Sequence, residues 1–206
     1  MPKSIQELTE LIAELPGLGP RQARRVVQYL LRANPGYKAK LVAGISSLSS
    51  NVSQCEKCFR FDEINTEKFC PVCADKNRET KTCMVVEKDV DAEGVEVAGV
   101  YRGQYFILGS LIPLAATRKS RIAPRINELI QRLRNDVALG VQEVILAFAT
   151  TPEGDFTARE VKDKISSFIP EIKVTILGRG LSLGAEIEYA DGETLRSALQ
   201  GRREEF

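Results

Sequence analysis

A chain of 206 residues, 43% hydrophobic and 28% charged, is long enough for one large domain or two smaller ones and has the make-up of an ordinary globular protein. No apolar run approaches the roughly 20 residues that cross a bilayer, and Met1–Glu7 passes straight into an amphipathic pattern without a secretory h-region. The net charge of +1 conceals a basic N-terminal end: residues 1–54 hold seven lysines and arginines against three glutamates, suited to meeting a polyanion, while the lack of histidine excludes the usual nucleophilic triad.

Residues 5–15 are expected to form a helix capped by Ser4, with Ile5, Leu8, Leu11, Ile12 and Leu15 on one face. Pro16-Gly17-Leu18-Gly19-Pro20 stops it and starts another over 20–33, with Ala23, Val26, Val27, Leu30 and Leu31 inward and Pro20 in the first turn. Asn34-Pro35-Gly36 ends that helix, and a third follows near 38–53, so the N-terminal module is all-α. Leu15–Ala23 has the pattern of a helix–hairpin–helix. Gly17 and Gly19 allow a sharp bend and close approach of a ligand to the backbone. The second helix begins with free N–H groups that favour a phosphate, and Arg21, Arg24 and Arg25 cluster behind them. Such contacts grip the backbone of DNA and not its bases, giving sequence-independent, salt-sensitive binding. An αα-hairpin with a solvated arginine face is the plainer alternative.

Cys55, Cys58, Cys70 and Cys73 follow as two C-x2-C knuckles separated by eleven residues. Each knuckle aims two thiolates at one tetrahedral ion, and four sulfurs leave no open position for catalysis, so a structural zinc is expected. A disulfide pair is the bland alternative, and a rubredoxin-like iron or an iron–sulfur cluster would use the same ligands. Metal-type spacing without a signal sequence points to a reducing compartment, hence the cytoplasm. Cys83 lies in an apolar run and reads as a small buried hydrophobe.

Beyond Thr80 the pattern changes to short apolar strands at Cys83–Glu87, Tyr105–Leu108, Glu143–Phe148 and Ile172–Leu177. Helical patterns at Arg125–Asn135 and Ala158–Phe168 lie between the later ones, which implies a mostly parallel sheet covered on both faces. Leu111–Pro124 reads as an exposed mobile loop, and a last helix near Glu193–Leu199 precedes a charged tail. Glu87 ends the first strand, where open α/β sheets place their ligands, and Glu153 and Asp155 follow a later strand. Together they are suited either to a hard cation such as magnesium or to the N-terminal dipole of a helix. Gly178–Gly184 is a poor match to a phosphate loop, lacking the Gly-Lys-Ser/Thr ending.

This order of modules resembles the RecR family of recombination mediators over nearly the whole chain. The matching stretches are Leu15–Arg25, the cysteine quartet, Cys83–Glu87 with Asp89-Val90, Tyr101–Tyr105 with Leu108-Gly109, Glu153-Gly154, Arg179–Leu181, Glu188–Asp191 with Thr194-Leu195, and Gly201–Arg203. The resemblance implies a multidomain α plus α/β protein with four parts. These are a helix–hairpin–helix over 1–54, a small four-cysteine zinc module over 55–78, a Toprim-like mostly parallel α/β sheet over 79–178, and a C-terminal helical segment over 179–206 that joins subunits. It also implies a non-catalytic, homo-oligomeric ring, dimer or tetramer, that clamps DNA. With RecO-type and in some settings RecF-type partners, such a ring helps load a RecA-type recombinase at single-stranded gaps, in the cytoplasm at the nucleoid. By position, Arg21 and Arg25 match the family's DNA-contacting residues, the cysteines its zinc ligands, and Glu87 the Toprim glutamate, with the acids around it facing RecO. The chain departs from the family at Ala149-Thr150, where Asn-Pro is usual, at Ser182 and Gly184-Ala185, and in Leu111–Pro124. The alternative is a magnesium-dependent Toprim nuclease or primase-like enzyme using Glu87, Glu153 and Asp155. Catalytic relatives of that fold carry an Asp-x-Asp pair, and Ala149-Thr150-Thr151 carries no acid.

Overall fold

The computed structural model describes residues 1–114, 124–178, 180–181 and 184–202. Most of the Leu111–Pro124 loop, together with Arg179, Ser182 and Arg203, lies outside the described residues. The chain divides into two compact units, Met1–Ser53 and Gln54–Phe206.

The first unit is all-helical, with α1 (Lys3–Ala13) packed against α2 (Pro20–Arg32), followed by α3 (Pro35–Asn51). Ser4 lies inside α1, whose N-cap is Pro2, and Leu8, Leu11 and Leu15 stay exposed while Thr9 is buried. In α2 Pro20 takes the first turn, Ala23 and Val27 are buried, and Leu31 is exposed. Asn34-Pro35-Gly36 does not merely end α2. The Asn34 side chain accepts the Gly36 N–H at 2.7 Å and Pro35 supplies a preset φ, so the same three residues start α3.

Two-residue strands, β1 (Ser53–Gln54) at the boundary of the units and β2 (Phe61–Asp62), flank the first knuckle, and the short helix α4 (Pro71–Ala74) carries the second. The sheet follows: β3 (Thr82–Val86), α5 (Asp89–Ala98), β4 (Gln104–Ile107), α6 (Ile126–Ala138), β5 (Glu143–Ala147), α7 (Pro152–Phe168) and β6 (Lys173–Ile176). The pairings of this four-stranded sheet are parallel and its order is β4-β3-β5-β6. Because side chains alternate along a strand, each face has its own core. Cys83, Val85, Phe106, Val144 and Leu146 meet Leu129 and Leu133 of α6 and Val161 and Ile165 of α7 on one face. Met84, Val86, Tyr105 and Ile107 meet Ala92 and Val95 of α5 on the other. The four strands fall within one residue of the expected runs. Helix α5 escapes the apolar pattern because Ala92 is its one fully buried residue. Asp91 accepting the Lys88 N–H at 2.9 Å and Gly99 at φ 66° mark its ends instead. Helix α7 starts earlier than its apolar pattern, at Pro152, because Thr151 caps it by accepting the Gly154 N–H at 3.1 Å. A short 3-10 turn (Ile187–Tyr189) and α8 (Gly192–Gln200), capped by Asp191, end the described chain. Among the described residues no helix is long and apolar enough to cross a membrane.

Candidate functional site

The two knuckles close on one point. Cys55, Cys58 and Cys70 are buried and Cys73 half-buried, and their sulfurs all lie within 4.8 Å of one another. The first knuckle is a turn in which Phe59 N–H donates to the Cys55 carbonyl at 2.9 Å and Cys55 N–H to the Arg60 carbonyl at 2.8 Å. In the second, Cys70 is the N-cap of α4, Pro71 its first residue, and Cys73 projects from its single turn. Glu56 N–H donates to the Lys68 carbonyl at 3.1 Å, joining the two. Cys70 N–H points at the Cys55 sulfur at 3.4 Å, a donor aimed at a ligand atom. Cys58 and Cys70 sulfurs are 3.6 Å apart, close to the edge of about 3.8 Å that a tetrahedron of thiolates at about 2.3 Å from zinc requires. As thiols the four compete for protons. Hydrogen bonds from Cys58, then Cys70 and Cys73, hold Cys55 far below the ordinary thiol range, and the bond to Cys55, with burial adding, drives Cys73 far above it. Four sulfurs this close, two of them 3.6 Å apart and one facing a backbone N–H, form a donor set that fits a thiophilic divalent ion. Cys83 stands apart in β3, fully buried, with its thiol raised by desolvation.

The metal module is fastened to the open edge of β4. Phe59 adopts φ 64°, a left-handed conformation costly for a bulky residue. The conformation lets its ring pack against both cores and edge-on to Phe106 at 5.4 Å. Ile107 N–H donates to the Cys58 carbonyl at 2.8 Å. Arginines take the outward carbonyls of the same edge: Arg78 Nε to Gly103 at 3.0 Å, Arg132 Nη1 to Tyr105, and Arg125 Nη1 to Ile107 at 3.3 Å. Each guanidinium also stands over an aromatic ring, Arg78 over Tyr105, Arg132 over Phe106 and Arg125 over Phe59. These supports were not among the expected site residues. Their signal was present for Arg132 and Asp136, which share the i, i+3, i+4, i+7 stripe with Leu129 and Leu133 and so occupy core positions as a charged pair.

The hairpin of the helical unit is built as its glycines require. Leu18 N–H donates to the Leu15 carbonyl at 3.1 Å across Pro16 and Gly17, and Gly17 has φ 78°, as a type II turn demands at that position. Gly19 is the N-cap of α2 and no side chain caps the first turn, whose residues include exposed Arg21, with exposed Arg24 and Arg25 close behind. A Cβ on Gly17 would meet nothing within 4 Å, so the turn surface is open.

In the sheet, β3 neighbours both β4 and β5, so the crossover direction reverses between β3 and β5, whose carboxyl ends are where open α/β sheets place ligands. Glu87 follows β3, its side chain 17% exposed and 3.2 Å from the Lys88 ammonium. Glu153 and Asp155 occupy the first turn of α7, where they also complement the helix dipole. The three acids share that end of the sheet, yet among the described residues the cysteine quartet is the set whose ligand atoms converge as a metal site would.

The description "Toprim domain" matches residues 81–178, and "RecR, C-terminal" matches residues 180–203. A protein named "Recombination protein RecR" from Chloroflexus aggregans is 38% identical over 201 residues, covering 97% of this chain and 93% of the relative. Its namesake from Dehalococcoides mccartyi is 39% identical over 97% and 94% of the two chains. The one from Herpetosiphon aurantiacus is 38% identical over 98% and 95%. With a four-cysteine centre, a Toprim-type parallel sheet and end-to-end similarity of this order, the chain belongs to the RecR family.

Proposed function

We propose that this protein is a non-catalytic DNA clamp in recombinational repair. It acts as a homo-oligomer that, with a RecO-type and in some settings a RecF-type partner, helps load a RecA-type recombinase at single-stranded gaps in the cytoplasm at the nucleoid. The observation that carries the DNA part is the hairpin: an open Pro16-Gly17 turn, the uncapped start of α2, and exposed Arg21, Arg24 and Arg25. Uncapped N–H groups bind phosphate oxygens, and the three guanidinium groups add charge without reading bases. In this reading residues 1–54 hold DNA, the 55–78 module holds one structural zinc, the 79–178 domain offers Glu87, Glu153 and Asp155 to a protein partner, and 179–206 joins subunits. The recombination proteins it resembles end to end support the recombination role. Without an Asp-x-Asp after β5, the acids lack the pair that would position a cation for phosphoryl transfer.

The test uses end-labelled gapped duplex DNA with protein, magnesium and nucleotides, reading mobility and strand length from the same reactions. A salt-sensitive shift with intact strands is expected. Charge reversal at Arg21 and Arg25 should weaken it by at least about tenfold at moderate salt. Cleaved or extended strands that disappear in Glu87→Gln would instead make this a magnesium-dependent nuclease or primase-like enzyme.

A further inference from the structure

A divalent metal held by four thiolates carries a formal charge of about −2, and this one sits against the edge of a sheet with three of its ligands fully buried. Burying such charge is costly unless a counter-charge lies within the same low-dielectric region. The positive groups nearby differ in how far they are committed elsewhere. Lys68 is exposed and paired with Glu56 at 2.6 Å. Arg125 stands over Phe59 and bonds the Ile107 carbonyl. Arg132 is 9% exposed, on the inward face of α6. Its Nη1 donates to the carbonyl of Lys57, one of the two residues between the ligands of the first knuckle, at 3.0 Å, and to the carbonyl of Tyr105 on β4. Its Nε donates to Asp136 at 2.9 Å, while its Nη2, also buried, has no hydrogen-bond partner among the described residues.

A guanidinium brought this deep at the expense of one unbonded N–H pair needs a reason, because an orphaned buried donor costs about 1–3 kcal/mol. A link between knuckle and strand requires only Nη1. A neutral hydrogen-bonding residue would make that link without the charge. Asp136 answers the charge locally through Nε, and the bond to the Lys57 carbonyl holds the guanidinium one residue from Cys58.

We propose that Arg132 is the positioning residue of the metal centre, holding the Lys57 turn against β4 and supplying the buried positive charge that stabilises the tetrathiolate. This rests on the quartet holding a thiophilic divalent ion and is independent of DNA binding. Metal loss and release of the β4 edge are then one event, since the same guanidinium serves both.

The experiment loads purified full-length protein with cobalt, records the thiolate-to-cobalt charge-transfer bands, and times zinc release to a colorimetric chelator. R132M is expected to shift those bands and to release zinc at least about tenfold faster, the loss typical of outer partners of metal ligands. R78M, which strips the neighbouring arginine from the same strand edge, should leave both unchanged. D136N separates charge from packing: with its carboxylate gone, the guanidinium acts on the thiolates alone. The variant should melt earlier yet hold zinc at least as long as wild type. Zinc release in D136N that accelerates in step with its lost stability would overturn the proposal, even if R132M failed to fold. So would unchanged bands and release in a folded R132M. Lack of charge-transfer bands in the wild type would overturn the metal centre itself, and Arg132's role with it.

Discussion

Gly154 shows how a single residue sets the carboxyl end of β5. A Cβ there would overlap the Ala149 carbonyl oxygen, which also accepts the Thr151 N–H at 2.8 Å, so the turn into α7 closes only around a glycine. Glu96 shows the same control through charge. Arg78 grips its carboxylate with two bonds, at 2.7 and 2.9 Å, and the Tyr105 hydroxyl adds a third at 2.7 Å. The Arg78 guanidinium, with Tyr105 and against the pull of burial, holds the Glu96 carboxyl below its ordinary value of 4.5. A folded-state value below the unfolded one stabilises the protein above the unfolded value, and the gain is lost as pH falls through the folded one. Glu96→Gln should therefore cost about 1–3 kcal/mol at neutral pH, and the gap to wild type should close below pH 4.5. Urea unfolding across that range checks it; a gap that stayed constant into strong acid would remove the ion pair from the account.

At the scale of elements, β4 is an edge strand kept from pairing with another chain by side chains and not by a neighbouring strand. Two arginines occupy its carbonyls, a third takes that of Gly103 just before it, and the first knuckle occupies the Ile107 N–H. Helix α7 carries a comparable clasp. Buried Thr157 accepts the Ile112 N–H at 2.8 Å and donates to the Glu153 carbonyl at 2.7 Å, fixing the segment after β4 to the start of the helix. Thr157→Val keeps the shape but orphans Ile112 N–H, and should cost about 1–3 kcal/mol in unfolding free energy, whereas Thr157→Ser should cost less. Equal losses would mean the methyl contact, not the bond, matters. Elements with a regular apolar period were legible in the sequence, as β3 and β5 show. Those defined by caps, α5 and the start of α7, were legible only in their polar residues.

For the whole molecule, the metal module and the sheet form one compact unit while Met1–Ser53 forms another. Removing the metal, or replacing a ligand as in Cys58→Ser, should therefore act on one unit selectively. We expect one zinc released per chain, early unfolding of Gln54–Phe206, and retention of the α1–α2 helical signal. Circular dichroism with limited proteolysis reads both units at once. A Cys58→Ser protein with full zinc and unchanged melting would show the metal has no structural role.

By itself the sequence determined which four cysteines converge, the hairpin turn and the strands. Each rests on local spacing: C-x2-C aims two sulfurs from one turn, Pro-Gly fixes one turn type, and a short apolar run bounded by polar residues favours a strand. Only the tertiary structure decided what those parts lean on. Lys57, Tyr105 and Arg132 are scattered along the chain and meet because α6 crosses the sheet beside β4, and Phe59 accepts a strained backbone because its ring fills the space between knuckle and core. Long-range contacts of this kind leave no period to read. Their one trace is a charged pair at core spacing, Arg132 and Asp136, whose meaning depends on the partner that the fold brings to it.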